Sequence, residues 1–191
     1  MDISPLPVFL SGQGAMNPHL LLGLDALLVA IIAAVIDVRQ HRIPNWLTYP
    51  AVVMGILLRW AFLGWRGLGT ALAGCALAGG IVFLFYLMRA MGAGDVKLLA
   101  AIGSLVGPSD VLVVLAATAI SGGVLALLYV MVRRRVGSTL RNVGSVLTFH
   151  AGNGLRAHPE LNLDNPSALR MPYGLAIATG TLYAFLTIWW R

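Results

Sequence analysis

Charge is what this chain lacks. Only 10% of its residues are Asp, Glu, Lys or Arg, while 59% are hydrophobic. A soluble domain of ordinary composition carries about 25% charged residues. So few polar groups cannot cover the apolar surface, which excludes a soluble globular domain. The mean hydropathy of +0.85 agrees. Cysteine is scarcer still, with Cys75 alone in an apolar run. That excludes an internal disulfide and a multi-cysteine zinc site, and says nothing of compartment. His19, His41, His150 and His158 share no ligand spacing. Metal sites need converging ligands, so neither a metal nor another cofactor is expected. Residues 1–38 hold no Lys or Arg. The basic start of a secretory signal peptide is therefore missing, and the first apolar segment is expected to stay as a membrane helix.

What is present is apolar length. Six stretches stand out, at roughly 20–36, 48–64, 68–90, 95–107, 110–132 and 172–190. A helix crosses a hydrocarbon core with about 20 residues. The expected fold is all-α: one polytopic membrane domain over residues 1–191 with about six transmembrane helices. Arg59, inside the second stretch, is expected to snorkel to an interface. The fourth stretch is short, about 18 Å from Asp95 to Val106. Either its start lies below the membrane surface or the bilayer thins around it, and both place Asp95 in a partly buried cavity that water reaches.

The net charge of +6 does not point to nucleic acid, because no basic cluster is interleaved with aromatics. Membrane topology accounts for it instead. With the N-terminus outside, the inner connections are 37–47, 91–94 and 133–171. Arg39, Arg42, Arg89, Lys97, Arg133, Arg134, Arg135, Arg141, Arg156 and Arg170 lie at or near them, against Arg59, Arg66 and Arg191 outside. The positive-inside rule favours that orientation, with the C-terminus outside and Trp189-Trp190-Arg191 as an outer anchor. In the long inner connection, Val136, Leu140, Val143 and Leu147 recur at helical spacing. They predict an amphipathic helix on the inner leaflet, followed by an irregular loop over 150–171.

Two carboxylates carry the chemistry. Asp95 stands in Gly92-Ala93-Gly94-Asp95-Val96-Lys97, where an apolar stretch begins. An acid at membrane depth is costly, which makes it a functional candidate. Asp37 closes the first stretch and is followed by Arg39 and by Ile43-Pro44-Asn45. Both fall on the same predicted side. Two neighbouring carboxylates share a proton, so that one activates water and the other protonates a carbonyl. Asp95 opens a helix and Asp37 closes one, so the helix dipoles favour an ionised Asp95 and a protonated Asp37. Pro44 and Asn45 are expected to start the second helix, with Asn45 as its cap. Lys97 is the only lysine and serves as topology anchor or carboxylate partner. Asp25 lies about 18 Å along the helix from Asp37 and cannot join it. Asp110, after Pro108-Ser109, looks like helix-start chemistry. Glu160 and Asp164 fall in the long loop.

Taken together, Asp37-x-Arg39-x-x-Arg42-Ile43-Pro44-Asn45, Gly92-Ala93-Gly94-Asp95-Val96-Lys97-Leu98 and Met171-Pro172-Tyr173-Gly174-Leu175-Ala176 closely resemble the type IV prepilin peptidases, GxGD aspartic proteases of the inner membrane. The resemblance spans about residues 20–190. It implies removal of a short basic leader from prepilins or pseudopilins at the cytoplasmic face, before the hydrophobic helix. It also implies Asp37 and Asp95 as catalytic residues, with Gly92, Gly94, Lys97, Pro44, Asn45 and Tyr173 in support. The implied partners are the pilin substrate and the bilayer. Larger members carry a cysteine-paired insert between the first helices and methylate the new N-terminus. That insert is absent here, which implies peptidase activity alone and greatest similarity to the Flp/Tad pilus branch. An archaeal-type preflagellin peptidase shares these motifs. Two other classes compete: a proton- or cation-coupled transporter, which needs acids in the outer half, and an inactive scaffold of a secretion machine.

Overall fold

The computed structural model describes residues 17–132 and 172–190, with isolated positions between 142 and 156. All the secondary structure described is helical. The first helix, α1 (Pro18–Gln40), starts where Asn17 accepts the His19 N–H at 3.0 Å and Pro18 fills the first turn. It ends at His41, whose left-handed backbone (φ 49°) returns its N–H to the Asp37 carbonyl.

Residues Asn45–Leu87 form α2, 43 residues long. It is interrupted at Gly64, with φ 62° and ψ −150°. An L-residue resists that backbone, so glycine is required there. The chain reverses at this point. Arg59 Nε reaches Thr70 Oγ1 at 3.2 Å, a pair that would lie about 16 Å apart on a straight helix. The two limbs, 45–63 and 65–87, therefore lie side by side. They are about 28 Å and 34 Å long by helical rise.

The short helix α3 (Ala93–Val106) lies against both limbs and forms the centre of the bundle. Leu98, Leu99, Ile102 and Leu105 are at most 1% exposed. The second limb approaches α3 through glycine: a Cβ on either Gly74 or Gly103 would strike the other's backbone. Gly107 (φ 86°) ends α3 and leads into α4 (Pro108–Val132). The last helix, α5 (Tyr173–Ala184), continues as a π-turn over Phe185–Trp189. It packs between α1 and α4, with Gly174 against Ala34 and Gly180 against Thr118.

Helices α1, α2 and α4 are long and apolar enough to cross a membrane, and the α5 segment is shorter but apolar. Leu28, Ile31, Ile32, Leu127, Leu128 and Met131 point outward. In a bilayer these side chains meet lipid tails. The protein is an all-α membrane protein, as its composition predicts. Each of the six predicted stretches holds a helix or a limb of α2, and the break predicted between 64 and 68 falls on the Gly64 reversal. The predicted amphipathic helix lies outside the described residues, since Val136, Leu140, Val143 and Leu147 are all beyond them.

Candidate active site

The connections of the bundle bring the sequence motifs to one end. Helix α1 finishes there, α2 starts and finishes there, and α3 and α5 start there. Asp37 sits in the last turn of α1, 7% exposed. Its Oδ2 accepts the Gly174 N–H at 2.8 Å, from the first turn of α5. Asp95 occupies the third position of α3, where its Oδ2 accepts the Gly92 N–H at 3.1 Å. Asp95 lies within the electrostatic reach of Asp37, and Tyr173 within that of Asp95.

The supporting residues knit these segments together. A Cβ on Gly94 would stand 3.0 Å from Ile43 Cβ, so the connection between α1 and α2 rests directly on the turn that carries Asp95. Pro44 precedes the first residue of α2, and its carbonyl accepts the Leu47 N–H at 3.2 Å. The Asn45 side chain does not cap α2. It accepts from Lys97 Nζ at 2.9 Å instead, tying the start of α2 to the first turns of α3. The same ammonium lies 5.1 Å from the centre of the Tyr49 ring. Lys97 thus pairs with an amide and a π-face, where a carboxylate partner had been one expectation. Tyr173 packs edge-on to α4, its hydroxyl 3.1 Å from where a Gly122 Cβ would stand.

The helix-dipole argument for an asymmetry between the two acids loses one of its premises. Asp37 does close a helix, whose negative end disfavours a carboxylate. Yet its side chain is bonded by the N-terminus of a second helix, whose positive end favours one. Each carboxylate is therefore held by one backbone N–H at a helix start. The signal for this was the Pro172-Tyr173-Gly174 segment, but 137 residues separate the partners and nothing local marks the bond.

Helices α3 and α4 also differ in length. The 14 residues of α3 span about 21 Å and the 25 of α4 about 37 Å. Their shared end is the tight Gly107 connection, so α4 runs on past Asp95.

The other carboxylates are elsewhere. Asp110 sits at the opposite end, in the first turn of α4. Its Oδ1 accepts from Ser109 Oγ at 3.0 Å and its Oδ2 from Trp189 Nε1 at 2.8 Å. Trp189 is consequently buried, Trp190, 68% exposed, fits the predicted anchor, and Arg191 lies outside the described residues. Arg59 also corrects its prediction. It does not snorkel into open solvent but is 5% exposed, inside that far end. Glu160, Asp164, His150 and His158 lie outside the described residues. Among the described residues no cluster of His, Cys, Asp or Glu would hold a metal ion.

Fold and site together define a helical membrane protein with two carboxylates at one end of its bundle, Asp37 buried and Asp95 half-buried. The chain belongs to the type IV leader peptidase family, whose model matches residues 25–127, just over half of the sequence. Asp37, Pro44, Asn45 and the Gly92–Lys97 segment all fall inside the match, and Tyr173 lies outside it. Family membership makes it a multi-pass membrane protease of prepilin-type substrates. The curated proteins and the solved structures returned no match.

Proposed function

We propose that the protein is an aspartic leader peptidase in which Asp37 and Asp95 together hydrolyse one peptide bond of a prepilin or pseudopilin. The observation that carries this reading is the pairing of two acids from different helices, Asp37 buried and Asp95 half-buried, each fixed by a backbone N–H. One ionised carboxylate takes a proton from water as the oxygen attacks the scissile carbonyl. The other, protonated, gives its proton to the carbonyl oxygen. Neutral water and peptide enter, and a free carboxyl and a free amine leave.

The site faces the cytoplasm in this reading. Arg39, Arg42 and Arg89 are exposed at the end of the bundle that holds both acids, and Lys97 is there too. Inner-leaflet positions favour such residues. The substrate then presents a short basic leader in water and a hydrophobic helix in the bilayer. The membrane is the inner membrane. Only residues 41–44 connect α1 to α2, which leaves no room for a cysteine-paired insert and supports cleavage without N-methylation. That feature favours the Flp/Tad type of pilin as substrate. A transport reading gains no support, since Asp25 lies about 18 Å along α1 from Asp37 with no chain of acids between them.

Co-expression with a short prepilin tests the proposal. Leader removal, seen as a mobility shift, is expected for the wild type and not for Asp37→Asn or Asp95→Asn. Full processing by either variant would end the aspartic reading.

A further inference from the structure

Arg59 is a cation buried in a membrane hairpin, far from any motif. Such a group costs several kcal/mol unless its donors are satisfied. It lies five residues before the Gly64 reversal and points back to the far end of α3. Its Nη1 donates to the Leu105 carbonyl at 3.0 Å and its Nε to Thr70 Oγ1 at 3.2 Å. Thr70 in turn donates to the Gly67 carbonyl at 3.0 Å. Gly107 lies flat against the guanidinium, where a Cβ would stand 2.8 Å from Nη2. The last carbonyls of a helix lack partners within it, and the dipole favours a cation there. Asp110 balances the charge at longer range.

Along its sides α3 is held by the buried Leu98, Leu99, Ile102 and Leu105 and, near Asp95, by the Lys97–Asn45 bond. At its far end the polar ties are those of Arg59 and of Ser104, whose hydroxyl donates to the Val52 carbonyl at 3.4 Å. Helix α3 meets α2 through small residues: Gly55 against Ser104, Gly74 against Gly103, Gly79 against Ala100. Such surfaces pack closely but carry few interlocking ridges. Buried polar groups are the best-attested means of fixing register between helices. Asp95 is on the same rigid rod as Leu105, about 15 Å away along it.

We propose that Arg59 is a positioning residue, whose guanidinium grips the far end of α3 and so sets the depth at which Asp95 meets Asp37. It rests on the reading of Asp95 as catalytic. A merely stabilising Arg59 would reduce the amount of folded enzyme and leave the turnover of what remains untouched.

Two measurements test it. The first is kcat and KM on a prepilin for Arg59→Met and Arg59→Lys, per folded molecule. Misplacing a catalytic group by a fraction of an ångström to 1 Å lowers rate by roughly tenfold to a hundredfold. The expected result is such a loss in kcat for Arg59→Met at unchanged KM, partly recovered in Arg59→Lys. The second is the register of α3, read without any catalysis. Built Cβ atoms at Gly79 and Ala100 stand 3.2 Å apart, near disulfide range. Gly79→Cys with Ala100→Cys, in a Cys75→Ala background, is expected to oxidise quickly with Arg59 present and several-fold more slowly with Arg59→Met. Unchanged kcat in Arg59→Met, or lost kcat with unchanged crosslinking, overturns the proposal. If Arg59→Met does not accumulate, Thr70→Val removes one of its two partners and must lower kcat in the same direction; no change would overturn it equally. Were Asp95 not catalytic, the crosslinking shift would remain while Asp95→Asn kept its activity, so the two failures are distinguishable.

Discussion

Asp110 at one end of the bundle and the Asp37–Asp95 pair at the other are the same residue type in opposite states of satisfaction. Both oxygens of Asp110 accept a hydrogen bond, one from Ser109 and one from Trp189. At the motif end, Asp37 and Asp95 each engage one oxygen, with a backbone N–H, and the other oxygen takes no bond among the described residues. A carboxylate offers about four acceptor sites. Those of Asp110 are turned to holding helices together. Those left open at the other end would, in the proposed reading, receive a water and a peptide. In that reading the difference separates an acid that builds from an acid that reacts, although all three sit at helix ends in an apolar chain.

The largest effect that tests this contrast is loss of either open acid. Asp37→Asn or Asp95→Asn removes the proton exchange on which the proposed hydrolysis depends. Acid–base groups contribute roughly a hundredfold to ten-thousandfold, and a loss of that size is expected in kcat with the protein still in the membrane. Asp25→Asn is expected to leave turnover within about twofold, in line with substitutions remote from a site. Equal damage at Asp25 would revive the transport reading.

A smaller loss should follow from displacing an acid without neutralising it. A Cβ on Gly174 would stand 3.0 Å from both Cβ and Oδ2 of Asp37 and 3.2 Å from the Ala34 backbone. Gly174→Ala must therefore shift Asp37 by a few tenths of an ångström against its N–H donor. A fall of about tenfold in kcat is expected, since positioning errors of this kind scale steeply. Wild-type turnover in Gly174→Ala would mean that the α5 contact does not hold the reacting acid.

Next is the Lys97–Asn45 tie. Lys97→Met and Asn45→Ala break the same hydrogen bond, so their effects should not add. Each is expected to cost a few-fold in kcat and the double variant no more than the worse single one, with a coupling of about 1 kcal/mol. Additive losses would show that Lys97 acts on its own, for instance by touching substrate.

How much of this was legible beforehand depends on sequence distance. Apolar runs mark α1, both limbs of α2 and α4, because lipid demands continuous hydrophobicity over a fixed length. The Gly64 reversal shows as a gap between runs with glycines on both sides. Asp37 and Asp95 stand out because acids are rare in such a chain, and their common end follows from the alternation of crossings. What stayed hidden is pairing across the chain. The N–H of Gly174 on Asp37, the grip of Arg59 on Leu105 and the Trp189–Asp110 bond join helices that have no neighbourhood in sequence. Asn45 shows the same limit at short range. Its place before an apolar run fits a helix cap, but a lysine 52 residues on claims its oxygen.

The smallest effect is the sharpest contrast, because it repeats one chemical edit with the opposite outcome. In Asp110→Asn the amide oxygen still accepts from Trp189 Nε1, while the amide NH2 donates to Ser109 Oγ, whose hydroxyl turns to accept. Both interactions survive, and stability should change by less than about 1 kcal/mol. Arg59 loses a distant counter-charge but keeps its direct bonds to a carbonyl and a hydroxyl, so α3 stays seated. Turnover is expected to match the wild type. Asp110→Ala goes further and strands the buried Trp189 N–H, at a cost of roughly 1–3 kcal/mol. That cost should appear as a lower unfolding temperature, still without a change in kcat. If Asp110→Asn lowered kcat as Asp37→Asn does, the far end would be coupled to the chemistry through charge, and the division between the two kinds of acid would fail.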